Sequence, residues 1–170
     1  MTWGWLVYFI ILLAAAMTGA AAWKGAPFVP TPQKAIDSAL DLASVSASDT
    51  LVDIGAGDGR MLIAAAKRGA QVIGYELSPF MWLIAYFSML RHGVKGSLKL
   101  RDGFAADLST TTVLFLFMMP KTLPKLLNNL EKKLKPGTRI VTYAFPIPNW
   151  KPEKEIKPED CGAIFLYLVK

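Results

Sequence analysis

The sequence predicts an α/β fold in which a doubly wound, mostly parallel, Rossmann-like sheet follows one apolar N-terminal helix. Short apolar runs alternate with helix-like stretches along most of the chain, and such alternation is typical of parallel sheets with right-handed crossovers. A glycine-rich turn, DIGAGDGR at residues 53–60, joins the first of these runs to an alanine-rich stretch. The chain has 170 residues, enough for one domain that buries a core.

The N-terminal run at residues 3–23 contains no charged residue and predicts a transmembrane anchor. As a helix it would rise roughly 31 Å, which spans the hydrocarbon core of a bilayer. Trp3, Trp5 and Trp23 lie at its ends, where interfacial aromatic residues belong. A cleaved signal peptide is the alternative, because small residues follow Gly19. No Lys or Arg precedes the run, however, and it is long for a signal peptide.

The distribution of positive charge predicts the orientation of this anchor. Every Lys and Arg follows the apolar run, beginning with Lys24. The positive-inside rule therefore predicts a single-pass protein of the cell inner membrane, with the C-terminal domain facing the cytoplasm. The bilayer is then a predicted partner.

After the anchor, residues 24–48 predict a proline-rich linker and a first helix, and residues 49–170 predict the ligand-binding domain. Apolar residues at helical spacing predict the first helix at residues 33–43. In the domain, further helices are predicted at residues 60–68, 79–91 and 123–134, and strands at residues 51–54, 71–75, 97–101, 112–117 and 139–145. Ser78 suits the N-cap of the second of these helices and Pro79 its first turn.

The end of the chain predicts a hairpin that adds an antiparallel strand to the sheet. A proline-rich loop precedes a weak strand pattern at residues 154–157 and a strong one at residues 163–169.

The turn DIGAGDGR predicts a nucleotide-like ligand. Its three alternate glycines would let the backbone approach a ligand, and the N–H groups at the start of the next helix would face an anionic end. Glu76 closes the next apolar run, where a carboxylate can grip a ribose diol. The GxGxG spacing and the carboxylates Asp53 and Asp58 disfavour a pyrophosphate. They favour S-adenosylmethionine, which carries a sulfonium and an ammonium group.

The net charge, the single cysteine and the single histidine give further information on possible partners and ligands. The net charge of +6 indicates a solvated basic surface or attraction to anionic lipid. A nucleic-acid partner is disfavoured because the sequence has no RNA-binding signature. The single Cys161 excludes an intrachain disulfide. His92 has no second ligand at suitable spacing, and no metal is predicted. The sequence carries no signal for the oligomeric state.

Several blocks resemble the seven-stranded, class I S-adenosylmethionine-dependent methyltransferases. The blocks are PFVPTP (residues 27–32), DIGAGDGR (53–60), GYELSP (74–79), FMMPKTLPKL (117–126), LKPGTRIV (134–141) and FPIPNWKP (145–152). PFVPTP and FPIPNWKP are most similar to a membrane-associated branch. That branch includes the mitochondrial protein-lysine methyltransferases of the ADP/ATP carrier and the ATP synthase c-subunit. An N-terminal apolar anchor is typical of the eukaryotic members, and together with the resemblance it favours a membrane-protein substrate. The particular substrates of those members are not carried over, because this chain has a shorter tail and its methionine pair in FMMPKTLPKL differs from theirs.

The motif and the resemblance together predict the cofactor site. Asp53 would accept hydrogen bonds from the loop and favour the cationic end of the cofactor, and Glu76 would accept from both ribose hydroxyls. Asp58 would either bind the cofactor's amino group or cap the following helix. By resemblance, Asp102 would meet the adenine amino group. The full predicted set is Asp53, Gly55, Ala56, Gly57, Asp58, Gly59, Glu76, Leu77, Asp102, Gly103 and Phe104, with Thr31 and Phe28 from PFVPTP.

The methyl acceptor is predicted to meet an apolar wall rather than a catalytic acid or base. Methyl transfer requires alignment of nucleophile, methyl and sulfur. A lysine acceptor must be neutral, which costs roughly 4 to 5 kcal/mol at pH 7 from a reference pKa near 10.4. An apolar channel lowers this cost because it disfavours the ammonium. By position, the wall is assigned to Phe117, Met118, Tyr143, Phe145 and Trp150.

The predicted activity is thus membrane-anchored methylation of lysine in a membrane protein. FMMP stands where nucleobase and protein-glutamine methyltransferases carry a polar motif, so no carbonyl there holds a planar amine. Three alternatives remain at this point. One is methylation of a lipid-phase small molecule such as a quinone or an amine headgroup. The others are a non-catalytic S-adenosylmethionine-binding module and a nicotinamide-dependent reductase.

Overall fold

The computed structural model describes residues 3–9 and 29–170. Residues 3–9 are helical and their side chains are exposed. Most of the predicted anchor at residues 3–23 lies outside the described residues, as does Phe28. Within the described parts of the chain, no helix has both the length and the apolar character to cross a bilayer.

Seven strands form a single sheet. They are β1 (Thr50–Ile54), β2 (Gln71–Glu76), β3 (Ser97–Leu100), β4 (Val113–Leu116), β5 (Arg139–Tyr143), β6 (Lys154–Ile156) and β7 (Ile164–Leu168). Their order across the sheet is β3-β2-β1-β4-β5-β7-β6. Strands β1 to β5 pair in parallel, whereas β7 is antiparallel to both β5 and β6. The predicted mostly parallel sheet with an antiparallel terminal hairpin is confirmed.

Four helices accompany the sheet: α1 (Gln33–Leu42), α2 (Arg60–Lys67), α3 (Pro79–Arg91) and α4 (Leu123–Leu130). The Ser78 hydroxyl accepts a hydrogen bond from the Met81 N–H at 3.4 Å and caps α3, as its sequence predicts. The predicted helix at residues 123–134 is shorter than expected. Its last turn tightens into a 3₁₀ segment, Glu131–Lys133, before the Pro-Gly turn.

The boundaries of the strands differ from the predictions mainly where the backbone leaves the extended region. Strand β5 ends at Tyr143 rather than at residue 145, because Ala144 adopts a φ of 66°. A left-handed residue cannot continue the pleat of a strand. This turn directs the following Phe145 out of the sheet.

The helices cover both faces of the sheet, as the doubly wound prediction requires. Helices α1 and α2, with Met89 of α3, pack with alternate strand residues such as Leu51 in one core. Helix α4 packs with the intervening residues, such as Val52, in a second core. Successive residues of a strand point to opposite faces, so one short apolar run serves both cores.

The strand order reverses between β1 and β4, and this reversal positions the functional site. In the register of the sheet, Asp53 of β1 lies between Gly74 of β2 and Phe115 of β4. Crevices at the carboxyl ends of strands next to such a reversal are where open α/β sheets bind ligands.

Candidate functional site

A cleft of about 310 Å³ lies at the carboxyl ends of β1, β2 and β4. Its volume falls within the range of small-molecule sites. The predicted cofactor residues that line it are Thr31, Asp53, Gly55, Ala56, Gly57, Asp58, Glu76, Leu77, Asp102, Gly103 and Phe104. Thus residues from four separate parts of the sequence converge on one cleft. Gly59 is the described member of the predicted set that does not line it.

Gly59 has a structural role where two helices pack. It caps the start of α2 with a φ of 81°. A Cβ atom at this position would lie 3.3 Å from the Cβ of Ala85 on α3. Glycine is therefore needed there for the left-handed backbone and for the contact between α2 and α3, and its predicted place beside the ligand stays a prediction.

The backbone N–H groups of the glycine turn hold the turn closed. The N–H groups of Gly55 and Ala56 both donate to the Tyr75 carbonyl, at 2.8 and 3.0 Å, and that of Gly59 donates to the Ala56 carbonyl at 2.9 Å. The N–H of Arg60 donates to the Asp58 carboxylate at 3.2 Å. These four donors therefore already have protein acceptors, and the expectation that N–H groups at the helix start face an anionic end of the ligand now rests on the next residues of α2.

Glu76 is held at the edge of the cleft by two backbone donors. Its Oε2 accepts from the Gly57 N–H at 2.9 Å and its Oε1 from the Ser78 N–H at 2.7 Å. A carboxylate has about four lone-pair sites, so each oxygen can accept a further hydrogen bond. A pair of adjacent oxygens that is fixed in this way fits the two hydroxyls of a ribose, the role that the sequence predicts for Glu76.

Asp53 is a buried carboxyl group at the floor of the cleft, with 3% of its surface exposed. Burial, followed by the charges of Glu76 and Asp58, raises its pKa to about 8. No hydrogen bond reaches its carboxyl from residues 3–9 or 29–170, so the predicted bonds from the loop are corrected. Its strand neighbours are a glycine and a phenylalanine, which offer no side-chain donor. A cationic ligand group beside it would favour its ionised form.

Asp58 forms an ion pair with Arg60. The Asp58 carboxylate accepts from the Arg60 guanidinium at 2.6 to 3.0 Å. Burial alone would raise the pKa of Asp58, but the hydrogen bonds and charge of Arg60 lower it below the usual value. Two roles were predicted for Asp58, and the structure shows the second of them, at the start of α2, where its carboxylate accepts from the Arg60 N–H. It also shows the ion pair with Arg60, which the sequence analysis did not identify.

Arg60 is a site residue that the sequence analysis missed. Its Nη1 donates to the Thr31 carbonyl at 3.0 Å, so it joins the linker before α1 to the glycine turn. The sequence did carry a signal for this role: Arg60 follows Asp58 by two residues, a spacing that places both side chains at the start of the same helix. Arg60 also lines the cleft.

Asp102 and Gly103 form the far side of the cleft. The Asp102 carboxylate accepts from the Phe104 N–H at 2.9 Å and caps a short 3₁₀ turn, Gly103–Ala105. A Cβ atom on Gly103 would lie 2.2 Å from a methyl group of Ile54, so only glycine lets this turn pack on β1. The second carboxylate oxygen of Asp102 keeps its acceptor capacity toward the cleft.

The other half of the cleft is apolar. Phe117, Met118 and Phe145 line it, as predicted, and Phe115 and Met119 are additional lining residues that the sequence analysis did not select. We call this half the acceptor wall. The carboxylates of the cleft therefore all come from the segments at the ends of β1, β2 and β3, which also carry apolar side chains such as Met81, whereas the segments of β4 and β5 supply aromatic and sulfur-containing side chains and Thr122.

Tyr143 and Trp150 do not line the cleft, and their assignment to the acceptor wall is corrected. Tyr143 is buried; its ring packs edge-to-face on Phe117 at a centroid distance of 4.8 Å, and its hydroxyl accepts from the Gly162 N–H. Trp150 packs edge-to-face on Tyr167 at 6.1 Å. Tyr143 supports the wall from behind through Phe117, whereas Trp150 packs on the core of the other face of the sheet.

Comparison with known proteins relates the cleft to a cofactor. The family model of the ANTKMT methyltransferase domain matches residues 53–154. A crystal structure of an RNA methyltransferase from Salinibacter ruber in complex with S-adenosyl-L-homocysteine has a TM-score of 0.80 and 34% identity, and the match covers 83% of this chain and 94% of that one. S-Adenosylhomocysteine is what S-adenosylmethionine becomes when it loses its methyl group. The cofactor is therefore S-adenosylmethionine, and the carboxylate-lined half of the cleft fits it.

Two curated relatives are similar over most of this chain. A protein-lysine N-methyltransferase of Saccharolobus islandicus (strain REY15A) is 37% identical over 150 residues, which are 84% of this chain and 93% of that protein. The lysine N-methyltransferase of the ATP synthase c-subunit from Homo sapiens is 35% identical over 145 residues, which are 83% of this chain. The match spans 60% of the length of the human protein.

Proposed function

This chain belongs to the ANTKMT methyltransferase family, and from that membership we propose that it transfers methyl groups from S-adenosylmethionine to lysine side chains of a protein. The observation that carries the proposal is a single cleft with a carboxylate-lined half and an apolar half. The relative from Saccharolobus islandicus, matched over nearly its whole length, is named for this activity.

In the carboxylate-lined half, the residues of this chain bind and orient. Glu76 is positioned to accept hydrogen bonds from two hydroxyls, and Asp102 has free acceptor capacity on the opposite side. Asp53 contributes a negative charge at the floor when a cationic group is bound. The cofactor supplies an electrophilic methyl group on a sulfonium.

In the apolar half, the residues of this chain select a neutral amine. For a lysine with an ordinary pKa near 10.4, removal of the proton at pH 7 costs roughly 4 to 5 kcal/mol of free energy. Side chains such as Phe117, Met118 and Phe145 offer no hydrogen bond to an ammonium, so burial against them lowers the pKa of the lysine. The same wall excludes water, and alignment of the amine with the methyl group then suffices for transfer.

The finer part of the proposal concerns the membrane. We infer that residues 3–23 anchor the chain in the cell inner membrane, with the methyltransferase domain in the cytoplasm, and that the substrate is a membrane protein. The uncharged run and the positive charge after it support this orientation. The human relative is named for a component of ATP synthase. Confinement to one membrane raises the effective concentration of enzyme and substrate without any new contact.

RNA methylation is the second candidate, because the similar structure from Salinibacter ruber is described as an RNA methyltransferase. An RNA base that accepts a methyl group on nitrogen needs a polar partner to hold its planar amine. The described acceptor wall presents methionine and phenylalanine side chains at that place. This chemistry favours lysine over a base.

One labelling experiment tests both candidates. Membranes and RNA from cells that lack this protein are incubated with methyl-tritiated S-adenosylmethionine and the full chain. Glu76→Ala is the inactive control, and Glu155→Ala, an exposed residue of β6, is the matched control that should keep activity. We expect label in a protein band that hydrolyses to methyl-lysine. Label in RNA would support the second candidate, and label in the lipid extract would indicate a small lipid-phase acceptor.

Removal of residues 1–23 tests the anchor. The shortened chain should bind S-adenosylmethionine as tightly as the full chain, because every described residue that lines the cleft follows residue 23. Its methylation of membrane substrates should be slower. Equal rates for both chains on membrane substrates would refute the anchoring role.

A further inference from the structure

Helix α3 presents large apolar side chains to solvent as well as to the sheet. Met81, Ala85 and Met89 are buried at a spacing of four residues. Six large apolar side chains on its other side are between 38% and 64% exposed: Phe80, Leu83, Ile84, Tyr86, Phe87 and Leu90. We call these six the α3 face. A helix that is apolar all round is normally buried or in contact with a membrane.

The other helices on the same side of the sheet do not share this pattern. The outward residues of α1 are polar or charged, for example Gln33, Lys34, Asp37 and Asp41. Its buried residues, such as Ile36 and Leu40, face the core. The apolar outer surface is therefore a property of α3 and not of the fold.

The α3 face is large and held in place. Six side chains of this size at about half exposure present on the order of 500 Å² of apolar surface, which is comparable to the largest patch of a typical monomer. The ring of Trp82 stacks on Tyr86 at 5.4 Å, and its Nε1 donates to the Leu98 carbonyl at 3.2 Å. These contacts fix the helix to β3, the edge strand of the sheet.

The chain around the α3 face is basic. Between Glu76 and Asp102 there is no Asp or Glu, whereas four Lys and Arg residues occur. Three of these are exposed, namely Arg91, Lys95 and Arg101. None of the three forms a salt bridge with any of the residues 3–9 and 29–170. Arg91 lies in the last turn of α3, Lys95 in the loop after it and Arg101 directly after β3. An exposed apolar face on a helix that carries and is followed by such cations is the pattern of a helix that lies on an anionic membrane surface.

We propose that the α3 face lies on the surface of an anionic lipid bilayer. Its aromatic and aliphatic side chains enter the boundary between headgroups and acyl chains, and Arg91, Lys95 and Arg101 contact lipid phosphates. This contact is separate from the apolar run at residues 3–23, and it does not depend on which methyl acceptor the enzyme uses.

The charges of Arg91, Lys95 and Arg101 argue against a second copy of the chain and against the N-terminal run as partners of the α3 face. A second copy of the chain seated on the face would bring the same three cations of both copies together, and like charges in one interface are unfavourable. The uncharged N-terminal run could cover the apolar side chains, but it would leave the cations without partners. An anionic bilayer complements both the apolar and the charged parts.

This contact would hold the cleft next to the bilayer. Helix α3 starts directly after Glu76 and Ser78, and Met81 in its first turn lines the cleft. Phe80, also in the first turn, belongs to the α3 face. A bilayer seated on this helix therefore fixes the orientation of the cleft relative to the membrane surface.

A fluorescent probe on the α3 face tests the proposal in the full chain. Cys161, the single cysteine, is replaced by Cys161→Ser, and an environment-sensitive fluorophore is attached at Phe87→Cys. The matched control carries the probe at Asn128→Cys, an exposed position of α4 on the opposite face of the sheet. Both proteins are mixed with phosphatidylcholine vesicles, with and without phosphatidylglycerol. Unchanged affinity for S-adenosylmethionine shows that the labelled proteins are folded.

We expect the probe at position 87 to shift to shorter wavelength with anionic vesicles and to be quenched by lipids that carry a quencher near the headgroup. The probe at position 128 should change little. Arg91→Ala and Lys95→Ala should each weaken the contact of the α3 face with anionic vesicles about fivefold, the effect of one near-surface cation, as read from the spectral shift at position 87 rather than from total vesicle binding.

Four results would overturn the proposal. The first is no change at position 87 with anionic vesicles, and the second is an equal change at positions 87 and 128. The third is a shifted spectrum at position 87 before vesicles are added, which would indicate that the N-terminal run covers the face. The fourth is a shift that grows with protein concentration in the absence of lipid, which would indicate a second copy. Each readout is independent of methyl transfer, so failure here is distinct from failure of the proposed activity.

Discussion

The ionisation of Asp53 should control how the affinity for S-adenosylmethionine depends on pH. Burial, and then the charges of Glu76 and Asp58, raises the pKa of this carboxyl to about 8 in the free protein. At about pH 7 such a group is therefore roughly nine-tenths protonated. A cationic ligand group at the floor of the cleft favours the carboxylate, so ligand binding should release the proton.

The size of the effect follows from this pKa. Affinity should rise roughly tenfold per pH unit, or about 1.4 kcal/mol, as long as Asp53 is ionised in the complex and protonated in the free protein. The rise should level off above pH 8, where free Asp53 is itself mostly ionised. Asp53→Asn keeps the shape of the side chain but cannot ionise, so this variant should lack the rise.

Calorimetric titration in buffers of different ionisation enthalpy measures both affinity and proton release. The ligand's own amino group titrates identically with the wild type and with Asp53→Asn, so the difference between the two proteins isolates the carboxyl group. S-Adenosylhomocysteine lacks the sulfonium charge and should show a smaller slope. The reasoning is refuted if Asp53→Asn shows the same pH dependence as the wild type, or if binding takes up a proton.

Three further perturbations test the rest of the structure. Glu76→Gln replaces one carboxylate oxygen, an acceptor, by an amide NH₂ donor that faces a backbone N–H. Affinity for S-adenosylmethionine, measured by calorimetry, should therefore fall roughly 10- to 100-fold. Unchanged affinity would contradict the ribose assignment. Gly59→Ala places a Cβ against Ala85 at a φ of 81°, so thermal unfolding should show a loss of about 1 to 3 kcal/mol; wild-type stability would contradict the packing role. Asp49, directly before β1, forms an ion pair with Arg139 of β5. Burial alone would raise the pKa of Asp49, but hydrogen bonds and the charge of Arg139 lower it below the ordinary value of 3.8. This carboxylate therefore stabilises the fold above its ordinary pKa, and that stability is lost as the pH falls through the lowered value. Asp49→Ala should therefore cost roughly 3 kcal/mol at neutral pH and progressively less as the pH falls below the ordinary value of 3.8, measured by urea unfolding; a cost that does not change with pH would contradict the ion pair.

The sequence predicted most of the fold because the signals for it are local. Each apolar run and each helix start contains its own evidence, such as the cap at Ser78 and the turn at residues 53–60. The errors lie at ends of elements, where a single backbone angle decides. Ala144 ended β5 two residues early, and nothing in its residue type required a left-handed conformation.

The carboxylate half of the site was predicted better than the apolar half for a physical reason. Acidic residues at strand ends share one edge of a parallel sheet, so Asp53, Glu76 and Asp102 had to converge once the strand order was known. Aromatic residues near the same edge can face the cleft or either core. Tyr143 and Trp150 face the cores, and only the packing of the sheet shows this.

By itself, the sequence determined the fold class, the cofactor and the carboxylates that line its cleft, because those depend on residue types and spacings within single βα units. Tertiary structure decided what depends on contacts between distant segments. It placed Arg60 between Asp58 and Thr31, which is twenty-nine residues away from Arg60, and it gave Gly59 a contact with Ala85 of α3. It also left one side of α3 uncovered. The sequence of an apolar helix shows that the helix can be buried, but which of its faces becomes buried depends on how the rest of the chain packs against it.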